Sequence, residues 1–171
     1  MTGVSCTTLI ELLRAPDPDL NCIIDTFVTR FNASYGDPAS DHWDLTQQDW
    51  QRYEFLGDRV LNLIIAQWLF TKRNVPFTEG EMTRFLSRIV SNQALDLLVK
   101  QSAGDTYHLL IPRTLAVQNT YGERITGGAF EAFVGALYCE LGLDEVAHFI
   151  VALMKESPGM FNREENAIGM L

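Results

Sequence analysis

The sequence predicts an all-α protein. Apolar residues recur three and four positions apart along most of the chain, alternation at period two is scarce, and helix start and stop signals fall where the periodic segments end. With 171 residues the chain has the size of one domain, and 47% apolar against 20% charged residues gives it material for a core.

Taken in order, the first helix is expected over Thr8 to Arg14, with Leu9, Ile10, Leu12 and Leu13 as its stripe and Pro16 and Pro18 beyond its end. A second runs from about Leu20 to Phe31 through Ile23, Ile24, Phe27 and Val28. Asn32 to Asp44 holds Gly36, Pro38 and Ser40 and reads as a surface loop. The longest signal begins near Thr46 and carries Trp50, Tyr53, Leu56, Val60, Leu61, Ile64, Ile65, Trp68 and Leu69. A face that wide predicts a central helix.

Thr78 followed by Glu81 has the form of a capping box, so a helix should start near Glu79 and present Met82, Phe85, Leu86 and Ile89. Ser91 to Gln101 either continues it or forms a separate helix. Periodicity fades from Ser102 to Gly122, through Gly104 and Pro112, which predicts a long connection. It returns at about Glu123 and runs to Leu141, where Gly142 supplies a stop. Gly127 and Gly128 each cost up to about 1 kcal/mol relative to Ala, so a start just after them is the alternative. A last helix over Asp144 to Lys155 turns Val146, Phe149, Ile150 and Leu153 inward. Residues 1–157 are expected to form the domain and 158–171 a polar, frayed tail.

Lys and Arg total 13 against 22 Asp and Glu, a net charge of −9, which excludes a protein that coats nucleic acid through bulk positive charge. Cys6, Cys22 and Cys139 form no C-x-x-C pair and cannot all pair with one another, which points to a reducing, cytoplasmic setting. Met1 to Ser5 shows no basic region before an apolar stretch, so no secretory signal is expected. The run Val60 to Phe70 is interrupted by Asn62 and Gln67 and falls short of the ~20 residues a bilayer needs. His42, His108 and His148 stand at no ligand spacing, and Gly127-Gly128 lacks the Lys of a phosphate loop.

Two segments place acids inside apolar helices. Glu54 and Asp58 are four apart and share a helix face, and Glu131 lies between Phe130 and Phe133. Two helices offering carboxylates across a groove would suit a hard cation such as Mg²⁺, which activates water for attack on a phosphodiester. On spacing alone the simpler reading is that Glu54 pairs with a nearby Arg and Glu131 faces solvent.

Beyond spacing, Gln51 to Arg59, with the core Glu54-Phe55-Leu56-Gly57-Asp58, resembles the signature segment of the ribonuclease III family. Glu79 to Arg84 resembles the start of that family's next helix, and Ala129 to Tyr138 its second catalytic helix. The resemblance covers about Trp50 to Leu143. It implies an all-α endonuclease domain, a helical bundle that forms a two-fold homodimer and cuts double-stranded RNA with Mg²⁺, for which Mn²⁺ can substitute. It further implies Glu54, Asp58 and Glu131 as catalytic metal ligands. Phe55 would plug a pocket of the partner subunit, with core packing as its alternative, and Glu79 would be a secondary acid near the cleavage valley.

Two departures stand beside the matches. Gly128 occupies the place of an expected Asp, and Gln51 one where the family often has Glu. Glycine has no side-chain ligand, so water would fill that position and the site would be weakened. The resemblance therefore carries two outcomes: a weakened enzyme, helped at most by Glu123, or a catalytically inactive RNA-binding or assembly subunit. The stretch after Pro158 is also too short for an appended double-stranded-RNA-binding domain. Phosphate contacts then fall to Arg84, Arg88, Lys100, Arg113 and Arg124, giving modest, salt-sensitive affinity that a protein partner or a doubled dimer surface would supplement.

Overall fold

Five helices make up the described part of the computed structural model, which covers residues 47–71, 77–103 and 123–155. They are α1 (Gln47–Thr71), α2 (Glu79–Ile89), α3 (Asn92–Ala103), α4 (Glu123–Leu141) and α5 (Leu143–Lys155). The helices expected over Thr8–Arg14 and Leu20–Phe31, the loop Asn32–Asp44, positions 104–122 of the expected connection and the tail from 158 lie outside the described residues. No described helix is long and apolar enough to cross a membrane.

Local chemistry sets the helix ends. The Thr78 backbone N–H donates to Glu81 Oε2 at 2.8 Å and the Glu81 N–H to Thr78 Oγ1 at 3.3 Å, the expected capping box. Those bonds hold the Glu81 carboxyl below its ordinary range. The stretch after Ile89 is a turn followed by a separate helix: Ser91 Oγ accepts from the Ala94 N–H at 3.2 Å and donates to the Arg88 carbonyl at 2.8 Å. Gly142 ends α4 with a φ of +84°, a left-handed value that glycine reaches without a Cβ clash, and its N–H donates to the Tyr138 carbonyl at 3.0 Å.

Packing departs from the sequence expectation at one point. α1 was expected at the centre, but the centre belongs to α4, in which every residue from Thr126 to Leu137 is buried. Its small residues, Gly127, Gly128, Ala129, Ala132, Gly135 and Ala136, let neighbours close in from several sides. α1, α3 and α5 all pack on it, α1 most extensively. The same packing carries the helix through Gly127 and Gly128, so it does not begin after them. Phe130, Phe133 and Phe149 fill the middle, with the rings of Phe133 and Phe149 edge to face at 6.1 Å. α1 contributes Val60, Leu61, Ile64, Ile65 and Leu69, and α2 anchors to it through Phe85, 6.2 Å from Trp68.

Candidate functional site

The site begins with two glycines. A Cβ on Gly57 would overlap the Glu131 carbonyl and stand 2.8 Å from the Gly135 N, and one on Gly135 would overlap the Tyr53 carbonyl. Only hydrogen fits at either position, so α1 and α4 cross with their backbones in contact. Glu54 lies one turn before that crossing on α1, Asp58 just after it, and Glu131 on the opposite backbone. The crossing thus puts three carboxylates from two helices within electrostatic reach of one another.

Their environments differ. Glu131 is 9% exposed, and its carboxyl is pushed up to about 7, first by loss of water, then by the charges of Asp58 and Glu54, with Arg59 opposing. Glu54, half-buried, is also raised: burial dominates, Arg124 opposes it, and Asp58 adds to it. Asp58 sits at the rim, where its Oδ1 accepts from Asn62 Nδ2 at 3.0 Å and its Oδ2 forms an ion pair with Arg59. The simple reading of Glu131 as a solvent-facing acid is therefore overturned, because α4 is buried on all sides there. For Glu54 the nearby arginine exists, and it is Arg124.

Gly128 opens onto the same place. A Cβ there would stand 2.8 Å from Glu54 Oε1 and 3.3 Å from Trp50 Cη2. A side chain at 128 would enter the acidic cluster once the flexible Glu54 carboxyl gave way. Among the described residues, however, no group of three His, Cys, Asp or Glu side chains stands ready to close around a metal ion.

Phe55 faces away from the core and is 65% exposed, which overturns core packing as its role. It borders a groove of about 580 Å³ lined by Gln51, Arg52, Leu56 and Cys139 among others, and the Arg59 guanidinium lies 5.0 Å from its ring centre. Gln51 therefore belongs to this groove. Glu79 is exposed at the start of α2, accepts from Thr83 Oγ1 at 2.9 Å, and is not among the charges felt at Glu54 or Glu131.

Of the expected phosphate contacts, Arg84, Arg88 and Arg124 are exposed. Lys100 is instead engaged with Asp96, Nζ to Oδ1 at 2.9 Å, an i,i+4 pair along α3. Arg113, His42, His108, Cys6, Cys22 and the Glu123 side chain lie outside the described residues. His148 is exposed, and Cys139 is a free thiol whose pKa is raised by burial and by Glu140.

Sequence reasoning missed the structural parts played by Arg59, Asn62 and the Gly57–Gly135 contact. Spacing held a signal for two of them: Arg59 stands four residues after Phe55, and Asn62 four after Asp58. The glycine contact joins positions 78 apart in the chain, which no local pattern reveals.

Comparison with known proteins agrees with this architecture. The Ribonuclease-III-like family model matches residues 34–157. The chain belongs to the ribonuclease III-like family. It is 36% identical over 116 residues to ribonuclease 3 of Streptococcus equi subsp. zooepidemicus, covering 68% of this chain and 50% of the relative. It is also 36% identical over 105 residues to a probable ribonuclease 3 of Acanthamoeba polyphaga mimivirus, covering 61% of this chain and 19% of that protein. The chain thus spans half or less of the length of these relatives. In structure it resembles the nuclease domain of ribonuclease III from Campylobacter jejuni, with a TM-score of 0.59, 20% identity, and coverage of 91% of this chain and 97% of that one. That likeness shows the fold.

Proposed function

We propose that the chain is a ribonuclease III-type endoribonuclease domain that hydrolyses double-stranded RNA with a divalent metal, Mg²⁺ or Mn²⁺, bound by Glu54, Asp58 and Glu131. One observation carries the reading: Glu131, on the buried stretch of α4, has its carboxyl pushed up to about 7, first by burial and then by the charges of Asp58 and Glu54, so the three acids share one partly dry place. Gathering like charges in a partly dry place is costly without a cation. The donor set fits a hard divalent ion in kind, since all three groups are carboxylates. An ion held there supplies Lewis acidity, activating water and steadying the departing oxygen of the phosphodiester.

The chain's own residues supply the rest. Gly57 and Gly135 fix the spacing of the two acid-bearing helices, and Asn62 orients Asp58. Arg84, Arg88 and Arg124 offer phosphate contacts to a duplex that the net charge of −9 would otherwise repel, so binding falls steeply with salt. A protein partner adding RNA affinity is compatible with so few cations. A reducing, cytoplasmic setting suits the free Cys139.

Phe55 and its neighbouring groove lie on one side of α1, so a two-fold axis would seat each Phe55 in the groove of the other subunit. The Campylobacter nuclease domain is itself described with a flexible region involved in dimer formation. Phe55→Ala should shift sedimentation toward monomer, and an unchanged dimer removes this role from Phe55.

A second reading, an inactive RNA-binding or assembly subunit, is favoured by Gly128, which leaves the cluster one carboxylate short beside Glu54. Incubating a long RNA duplex with Mg²⁺ or Mn²⁺ separates the two. Cutting that Glu131→Ala abolishes supports the enzyme, whereas intact RNA with the unaltered chain and cutting by Gly128→Asp supports the silent subunit. If Gly128→Asp changes neither cutting nor metal affinity, position 128 is no part of the site.

A further inference from the structure

Arg59 touches both halves of the functional reading and is assigned to neither. Its guanidinium pairs with Asp58 Oδ2, lies 5.0 Å from the centre of the Phe55 ring, and acts on Glu131 across the helix crossing. The helix dictates this: Phe55 and Arg59 are i and i+4 on one exposed face, and Asp58 adjoins Arg59 at the rim. Phe55 thus forms a platform under the cation, and the cation occupies one oxygen of Asp58 while Asn62 occupies the other.

We propose that Arg59 is a positioning residue that links the subunit contact to the acidic site: it closes Asp58 while Phe55 is free and releases it when Phe55 enters a partner's groove. The inference rests on the roles proposed above for Phe55 and for the three acids.

The Arg59 side chain is 64% exposed and keeps most of its water. Seating Phe55 in a groove covers the ring face that the guanidinium shares. Carrying the cation in would strip that water, a cost that a solvent-exposed cation–π contact does not repay. The guanidinium therefore leaves the ring, loses its platform, and its ion pair with Asp58 reverts to an unsupported surface pair, which contributes little. Asp58 then becomes available beside Glu54 and Glu131. By linkage, whatever factor dimer formation adds to cation affinity, the cation must add to dimer formation.

The test measures Mn²⁺ binding by the full chain through the electron paramagnetic resonance signal of the free ion, below and above the protein concentration at which sedimentation shows dimers. The unaltered chain should bind Mn²⁺ about twofold more tightly as dimer than as monomer, the size that release of an exposed ion pair allows, and Mn²⁺ should strengthen the dimer by the same factor. Arg59→Gln should bind tightly at both concentrations and lose the coupling, and Arg59→Lys should lie between. Removing a positive charge strengthens cation binding in any case, so loss of the concentration dependence is the deciding readout. If Arg59→Gln retains the coupling, or the unaltered chain shows none while binding Mn²⁺ and dimerising, Arg59 is not the link and only this inference falls. If Mn²⁺ binding is absent, or is untouched by Glu131→Gln, the reading of the three acids falls, and this inference with it. A chain that stays monomeric at every concentration overturns the role of Phe55 and the link together.

Discussion

Along α1 one face is buried in the core and the other, which carries Phe55, Leu63 and Phe70 among polar residues, is exposed, and Glu54 and Asp58 lie on the border between them. Along α4 every residue from Thr126 to Leu137 is buried, and Glu131 is the acid in that run. The two helices deliver charge to one place under different constraints. A border acid can trade partners by changing rotamer, as Asp58 does with Asn62 and Arg59 in reach, and its cost stays small. An acid on a buried helix is held by the fold, so its cost is felt in the stability of the whole domain. This difference predicts that substitutions at the shared crossing shift stability most, those at Glu131 less, and those at Asp58 least.

The largest effect belongs to the crossing itself. Gly57→Ala would drive a Cβ into the Glu131 carbonyl, which is backbone and cannot swing aside. The expected loss is at least ~3 kcal/mol, or about 6–12 °C in midpoint for a domain of this size. Gly80→Ala is the matched control, since nothing lies within 4 Å of its Cβ position, and it should change stability by no more than ~1 kcal/mol, toward greater stability. Equal thermal shifts for the two variants would show that α1 and α4 do not depend on backbone contact.

Glu131→Gln is expected to stabilise, and to do so by an amount that depends on pH. The folded carboxyl, at about 7, keeps its proton to higher pH than the unfolded one near 4.5, so the native state binds more protons through that interval. Stability therefore falls as pH rises from about 4.5 to about 7, and the penalty is complete above it. With its residual contact with water discounted, the penalty is roughly 1–2 kcal/mol. In chelator at pH 8 the variant should melt about 2–8 °C above the unaltered chain, and at pH 4.5 the two should nearly coincide. A constant difference across this range would mean that Glu131 pays no electrostatic cost in the fold.

How much of this was legible in the sequence also divides between the two helices. The inner face of α1 showed in its spacing because one side of that helix meets a rim: Val60, Leu61, Ile64, Ile65 and Leu69 are buried as expected. The cap at Thr78 was equally plain, since it needs only a local exchange of hydrogen bonds. α4 hid its place because a helix buried all round has no face to read, and its small residues look like weak helix formers until neighbours are packed on them. The burial of Glu131 followed from that and was hidden with it. For Phe55 the sequence left subunit contact and core packing both open, because exposure of one aromatic is a property of the assembled surface, not of its neighbours in sequence.

The smallest expected effect is at Asp58. Asp58→Asn removes an exposed ion pair with Arg59, which contributes little, and also removes one of the charges that raise Glu131. The asparagine can still accept from Asn62 through its amide oxygen, so the local hydrogen bond survives. The two electrostatic changes oppose each other, and the net stability change should stay within ~0.5 kcal/mol at pH 7. The Glu131 carboxyl should nevertheless titrate below its present value of about 7, because one like charge beside it is gone while its burial is unchanged. Following that carboxyl by carbon NMR in chelator checks the point. A titration that does not move would place Asp58 too far from Glu131 to share an ion with it, and the comparison between a border acid and a buried acid of one site would no longer hold.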